Sequence, residues 1–467
     1  MRRLCPALLA VLLAVFVQGT PDAQPADPPS KLALVGGKLM DGYDAPPLHH
    51  AAVLIEGDRI VQVGPAAQMD IPSDYLVIDT SGRTMMPGMI ELHAHLILLG
   101  HGNYGRWFPW IDEQGRDEYL PLVMEIAAGQ LLMAGVTSAV DLGAPLDESL
   151  EVRERIDRGE IPGPRMSMSG PWITRTPARA GAMTTLFGGI TITSSEQAGQ
   201  EVERLAAAGV DVIKAHSGLT RDDYTAIVAA AHANGIRVHA HVYDEQDVRN
   251  ALETGVDVLT HAGSAGTAPP YSPELIRDIV NAGRPVVVTA AHRSWVYPDT
   301  FAFPERLQDP QLKADFPPDV YAEVQDSFKN WRALGYFQTT PRQMLFRERG
   351  LKQFIEAGAV MGLGTDSGTP MNFHTEALWR EAKTHVDMGM SPSRVISALT
   401  QVGARILGKS QDLGTVEPGK LADIIVVDGD PQYDILALSH VEVVVKGGVV
   451  YKGGPAAASP VNSSAAR

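Results

Sequence analysis

Strand-like and helix-like segments alternate through the middle of this 467-residue chain, and that alternation constrains its fold more than any other feature. Short apolar runs that read as strands lie at 136–142, 165–169, 210–215, 236–241, 256–261, 285–289 and 359–366, after a first strand that ends at His95. Helical patterns at 196–208, 221–233 and 377–387 fall among them. Eight strands interleaved with helices over roughly 300 residues predict an α/β fold, a (β/α)8 TIM-like barrel. A doubly wound open sheet is the competing topology, but no glycine-rich phosphate loop opens a helix after a strand.

The two ends of the chain read differently. Val53-Leu54-Ile55 and Arg59-Ile60-Val61-Gln62-Val63 flank Glu56-Gly57-Asp58, which is a hairpin signal. Runs at 76–78 and 84–86 flank Ser81-Gly82 in the same way, and strand-like sequence returns only at 422–427 and 441–451. One small β-sandwich built from both chain ends explains this split; two unrelated β-patches are the alternative. The expected organisation is a signal peptide over 1–23, a Pro-rich linker over 24–30 and a first β-domain part over 31–86. The barrel follows over 87–410, then the second β-domain part over 411–453 and a disordered tail over 454–467.

Arg2 and Arg3 precede an apolar run at 6–17. That run is shorter than the ~20 helical residues needed to cross a bilayer, so it reads as an export signal. A periplasmic or secreted protein is expected, with no membrane attachment after cleavage; a retained anchor is the alternative. Cys5 is the only cysteine and lies inside this segment. The mature chain would therefore have no disulfide and no thiolate ligand. Any metal must be held by His, by carboxylate or by something made from Lys. The net charge of −16 argues against nucleic acid as a partner. A small-molecule substrate remains, together with a possible second copy of the chain in a homo-oligomer.

Chemistry is concentrated at the strand ends. In Pro87-Gly88-Met89-Ile90-Glu91-Leu92-His93-Ala94-His95 the residues alternate sides, so His93 and His95 point the same way. Two imidazoles there can grip one metal ion, although His-x-His alone is weak evidence. Lys214, His241, His261 and Asp366 close later strands, on the face where barrel enzymes keep their chemistry. His239 would sit one layer deeper than His241, as a satisfied core histidine. Lys214 ends a buried-looking strand, where an unpaired ammonium is costly. Either a carboxylate pairs with it, or the neutral amine reacts with carbon dioxide to give a carbamate able to bridge two ions. Aromatic-rich segments at 101–114 and 293–342 follow barrel strands and are expected over the mouth. They read equally as a lid over an apolar substrate and as an oligomer contact.

Taken in order, several of these stretches resemble the amidohydrolase superfamily, in its imidazolonepropionase-like and Xaa-Pro dipeptidase-like branch. The resemblance rests on Pro87 to His95, Gly135-Val136-Thr137, Ile161-Pro162-Gly163-Pro164-Arg165, the Lys214 strand and His241 with His261. Gly364-Thr365-Asp366 and Leu413-Gly414-Thr415-Val416-Glu417-Pro418-Gly419-Lys420-Leu421-Ala422-Asp423 complete it. It implies a binuclear metal centre, usually zinc. His93 and His95 would hold one ion and His241 and His261 the other. Carbamylated Lys214 would bridge them, and Asp366 would bind the first ion and act as base. Two departures stand out: Val140 precedes Asp141 where the family often has Arg, and Glu91 stands where an Asp is usual. Tyr243, two residues beyond His241, is similar to a tyrosine that contacts a substrate carboxylate; ordinary packing is the other reading.

The expected reaction is hydrolysis of an amide or peptide bond, in a dipeptide or N-acyl amino acid, by a metal-bridging hydroxide. Asp366 would take the water proton and return it to the leaving amine. A lactonase or phosphotriesterase on the same binuclear centre is the alternative, and a non-catalytic binding protein of the same fold is a third. A mononuclear deaminase fits less well, because His241-Val242-Tyr243-Asp244 lacks the usual proton-shuttling Glu.

Overall fold

The computed structural model describes residues 31–175, 187–263, 270–314, 316–333, 335–338 and 340–453. The signal peptide, linker and tail expected at the termini lie outside the described residues.

The alternating segments form the barrel. Parallel pairing runs from Met89–Ala94 through Val136–Asp141 to Arg165–Met168. A second parallel group runs from Val212–Ala215 through Arg237–His241 and Val258–Thr260 to Val286–Val287. The Asp211 amide donates to the Met168 carbonyl at 2.9 Å and joins the two groups. Residues 359–366 take the eighth position as an irregular segment held on both sides by backbone hydrogen bonds. On one side the Val286 amide donates to Val360 at 2.9 Å; on the other, the Leu92 and Asp366 amides donate to Leu363 and His93 at 3.1 and 2.7 Å.

Glycines permit two of these close approaches. A Cβ on Gly88 would lie 2.1 Å from the Thr137 hydroxyl, so the first strand can seat against the second only there. A Cβ on Gly364 would lie 2.9 Å from the His93 nitrogen, which is why the eighth segment can press against the strand that carries His93.

The chain ends form two facing sheets. One orders Arg59–Pro65, Ala51–Glu56, Lys31–Val35 and Leu76–Asp79. The other mixes both ends of the chain, in the order Val449–Lys452, Val441–Lys446, Ile424–Asp428, Arg83–Pro87 and Lys38–Leu39. Leu34, Val53, Ile55, Met85, Val426 and Val445 pack between them as a separate core. Arg83–Pro87 leads directly into the first barrel strand, so the sandwich fixes where that strand starts.

The aromatic insertions are core in part, with Trp107, Phe108, Tyr297 and Phe337 buried and Phe303 exposed. Tyr104–Met133 is helical with a break at Gly115, where φ is 96°. Trp107 and Phe108 on it are fully buried, and the Trp107 indole donates to the Ile97 carbonyl at 2.9 Å. The two insertions grip each other: His101 Nε2 lies 3.0 Å from Glu323 Oε1, and Arg106 donates to Glu323 Oε2 at 2.6 Å. Among their described residues, Tyr104 and Arg293 reach the catalytic-face pocket.

Candidate active site

A pocket of about 610 Å³, part of it open to solvent, sits at the carboxyl end of the barrel strands. His93, His95, Lys214, His241, His261, Asp366 and Tyr243, all singled out from the sequence, line it. Each arrives from a different level of the barrel. His93 lies in the first strand and His95 just past its end; Lys214 and His241 close the fourth and fifth. His261 follows the sixth, and Asp366 ends the eighth segment.

Asp366 is the hub. Its Oδ1 lies 3.1 Å from His95 Nε2 and 3.6 Å from His93 Nε2, and its Oδ2 lies 3.6 Å from His292 Nε2. Lys214 Nζ is 3.4 Å from His93 Nε2 and donates to the Thr260 hydroxyl at 3.3 Å. The His241 and His261 rings lie 4.6 Å apart, and His93 is 4.5 Å from His261. These contacts bring all six candidate ligands to one chamber.

The backbone around the chamber is strained. His261, Thr289 and Asp366 have φ of 66°, 53° and 59°, the left-handed region that side chains with a Cβ rarely adopt. What holds them is visible. The Thr289 hydroxyl bonds His261 Nδ1 at 2.9 Å, and the Asn372 amide donates to the Thr365 and Asp366 carbonyls at 2.9 and 3.2 Å. Glu91 accepts from the His93 amide at 2.8 Å, the Thr365 amide at 2.9 Å and the Thr365 hydroxyl at 2.8 Å. The residue that departs from the usual Asp thus staples the first strand to the eighth segment. Burial pushes its carboxyl up to about 8 against those three bonds.

Electrostatics set the protonation states. Burial, followed by neighbouring charges, holds His93, His241 and His261 well below the ordinary imidazole range, so they are neutral. Burial lowers Lys214 to about 7, with Asp366 opposing. Burial alone would raise Asp366, but the hydrogen bond with His95 and the facing histidines hold it well below the usual carboxylate range.

This donor set suits a divalent metal. Neutral imidazoles and an ionised carboxylate are the ligand forms that borderline ions such as zinc take. His93, His95 and Asp366 offer one ligand atom each within 4.8 Å of one another. His93 Nδ1 and His95 Nδ1 are buried without a hydrogen-bond partner.

The structure also places His239 and two pocket residues that the sequence reading missed. His239 is fully buried, as expected, and neither ring nitrogen has a hydrogen-bond partner among the described protein groups. His216 was missed, although Lys214-Ala215-His216 repeats the His-x-His spacing; its ring stacks between Trp172 and His241 at 4.3 and 4.2 Å. Arg293, beside His292, was missed as well, and no sequence pattern marks it. Trp172 and Phe187, 4.5 Å apart, form an apolar wall that Tyr104 extends.

Comparison with known proteins agrees with this geometry. A family model described as Amidohydrolase family matches residues 84–453. Imidazolonepropionase of Geobacillus kaustophilus is 22% identical over 435 residues, covering 86% of this chain and 90% of its own. Among solved structures, a candidate prolidase of Bifidobacterium longum superposes with a TM-score of 0.70 at 27% identity, over 92% of this chain and 96% of its own. A Xaa-Pro dipeptidase with methionine bound in its active site has a TM-score of 0.69 at 23% identity, over 91% of this chain and 100% of its own.

Proposed function

This chain belongs to the amidohydrolase family, and from that premise we propose that its pocket hydrolyses the amide bond of a dipeptide or N-acyl amino acid. As a family member it is a hydrolase acting on carbon–nitrogen bonds, and the family generally uses divalent metal ions. The observation that carries the proposal is the convergence of His93, His95, His241, His261, Lys214 and Asp366 on one strand-end chamber. His93, His95 and Asp366 would hold one ion; His241 and His261 would hold the second. Bound there, the ions would supply an acidified water and an electrophile for the substrate carbonyl.

Lys214 would be the bridge. With its pKa near 7, a large share of its Nζ is the free amine at neutral pH. That amine adds to carbon dioxide, forming one N–C bond and losing one proton, and the resulting carbamate carries two ligand oxygens. Asp366, ionised and within reach of His95, accepts the proton of the attacking water and hands it to the leaving amine. Tyr243 and Arg293 face the same pocket and suit a free carboxylate on the substrate, while Trp172 and Phe187 suit an apolar side chain. The prolidase and Xaa-Pro dipeptidase likenesses support a dipeptide or its N-acyl analogue. Arg2, Arg3 and the apolar run at 6–17 support an exported enzyme, periplasmic or secreted.

The test is a screen of zinc-loaded protein against dipeptides, N-acyl amino acids, lactones and phosphotriesters. Turnover confined to substrates with an amide bond and a free carboxylate is expected. Faster turnover of lactones or phosphotriesters would replace this reading. A second reading, one ion held by His93, His95 and Asp366, is favoured by one fact: these are the metal-sized cluster among the described residues.

A further inference from the structure

At the opposite end of the barrel, a second cavity of about 660 Å³, part of it open to solvent, enters between the starts of the fourth and fifth strands. His239 lines it, fully buried, and neither of its ring nitrogens has a hydrogen-bond partner. Neutral imidazole carries one N–H, and a buried donor left unmet is costly, so this ring can offer a hydrogen bond into the cavity.

The surrounding groups want the same thing. The half-buried Lys409 ammonium donates to the hydroxyl of buried Ser167 at 3.3 Å and meets no carboxylate within ion-pair distance among the described residues. The Arg237 guanidinium donates to the carbonyls of Arg405, at 3.0 Å, and Ile406, also without a carboxylate. One acidic residue lines the cavity, Asp211, and it is engaged by Arg153 at 2.7 Å and by the Met168 amide at 2.9 Å. In a chain of net charge −16, this cavity gathers two cations that have no carboxylate partner among the described residues, beside a buried imidazole.

We propose that this cavity binds a small tetrahedral oxyanion, with inorganic phosphate as the representative ligand, between Lys409, Arg237, Ser167 and His239. Arg237 and His239 share one strand, Ser167 lies in Arg165–Met168 and Lys409 follows the helix Gln401–Leu407. The donors thus come from three elements, which suits an anion with acceptors on every side better than a planar carboxylate. Charge-assisted bonds to the two cations supply the strength, and His239 and Ser167 fix the position. The site is separate from the catalytic pocket and does not depend on the proposed reaction.

Phosphate titrated into the metal-loaded enzyme, with sodium chloride holding ionic strength constant, should raise the unfolding temperature saturably. Lys409→Gln should weaken that apparent affinity at least tenfold and leave phosphate-free turnover unchanged. Selenate soaked into crystals of the unaltered protein should give an anomalous peak beside His239, which locates the site even if the variant folds poorly. Stabilisation no greater than with chloride alone, an undiminished effect in Lys409→Gln, or no selenate peak at His239 would each overturn the proposal. The last outcome would assign the cavity to water.

Discussion

Asp366 has three roles at once: it faces His95 and His93, it faces His292, and its own backbone is held left-handed. Replacing it with Asn preserves shape and removes the proton acceptor. Asp366→Asn should therefore keep KM within a few-fold while kcat falls about 10²–10⁴-fold, the usual worth of a general base. Steady-state kinetics checks this, and near-normal kcat would move the base elsewhere, with His292 the nearest candidate. Tyr243 is tested by substrate form. A hydrogen bond to a charged group is worth about 1.5–3 kcal/mol. Tyr243→Phe should thus lower kcat/KM about ten- to a hundredfold for substrates with a free carboxylate. Amidated counterparts should be little affected; equal losses on both would mean the tyrosine only packs. Lys214→Ala should lose metal and turnover together, and added formate or acetate should restore part of both by standing in for the carbamate. A loss that neither acid repairs would deny Lys214 the bridging role.

At this scale the sequence was informative where a polar group broke an apolar strand. His93, His95, Lys214, His241, His261 and Asp366 all stood out that way. His216 followed the same rule and was passed over. Arg293 had no such mark, because the turn that aims it is built by distant residues. Glu381, far along the chain, accepts the Ala290 and Ala291 amides at 2.8 and 2.6 Å and so shapes that turn.

The elements behind the pocket are pinned by buried polar joints. Asp223 opens the helix Arg221–Ala233 in a capping box with Thr220, accepting from the Thr220 amide and hydroxyl at 2.8 Å each. The same carboxylate takes Ser195 at 2.7 Å and Arg175 at 2.6 Å, so it also ties down the stretch that carries Trp172. Burial pushes Asp223 up, but the bonds from Arg175, Ser195 and Thr220 win and hold it well below the ordinary 3.8. A carboxyl depressed in the folded state contributes stability that is fully present above its unfolded value and lost as pH falls through its folded one. Asp223→Asn should cost about 1.5–3 kcal/mol near neutral pH. Urea denaturation should show the gap from the unaltered protein closing as pH drops below 3.8. A gap independent of pH would mean the charge contributes nothing. The helix and its Thr-x-x-Asp start are legible in the sequence; the partners Ser195 and Arg175 are not, since they come from other elements.

Across the whole molecule, two of the motifs that signal the family, residues 161–165 and 413–423, join the barrel to the sandwich. Arg165, at the end of Ile161-Pro162-Gly163-Pro164-Arg165, pairs with Asp423 at 3.0 Å. Asp423 closes the Leu413–Asp423 motif, and its carbonyl accepts from the Gly88 amide at 2.9 Å, immediately before the strand that carries His93. These stretches therefore align the sandwich with the strand that presents His93 and His95. The barrel's alternation and the split of the sandwich between chain ends were legible because period and apolarity mark them. The irregular eighth segment and the buried course of the aromatic insertions were not, because tertiary contacts decide both. The central claim is that this architecture holds two ions, and counting them tests it most directly. Elemental analysis of active, carefully purified protein, titrated with zinc from the metal-free form, should show about two divalent ions per chain with turnover completed by the second. Full activity at one ion per chain would contradict the binuclear account and leave the His93, His95 and Asp366 site to act alone.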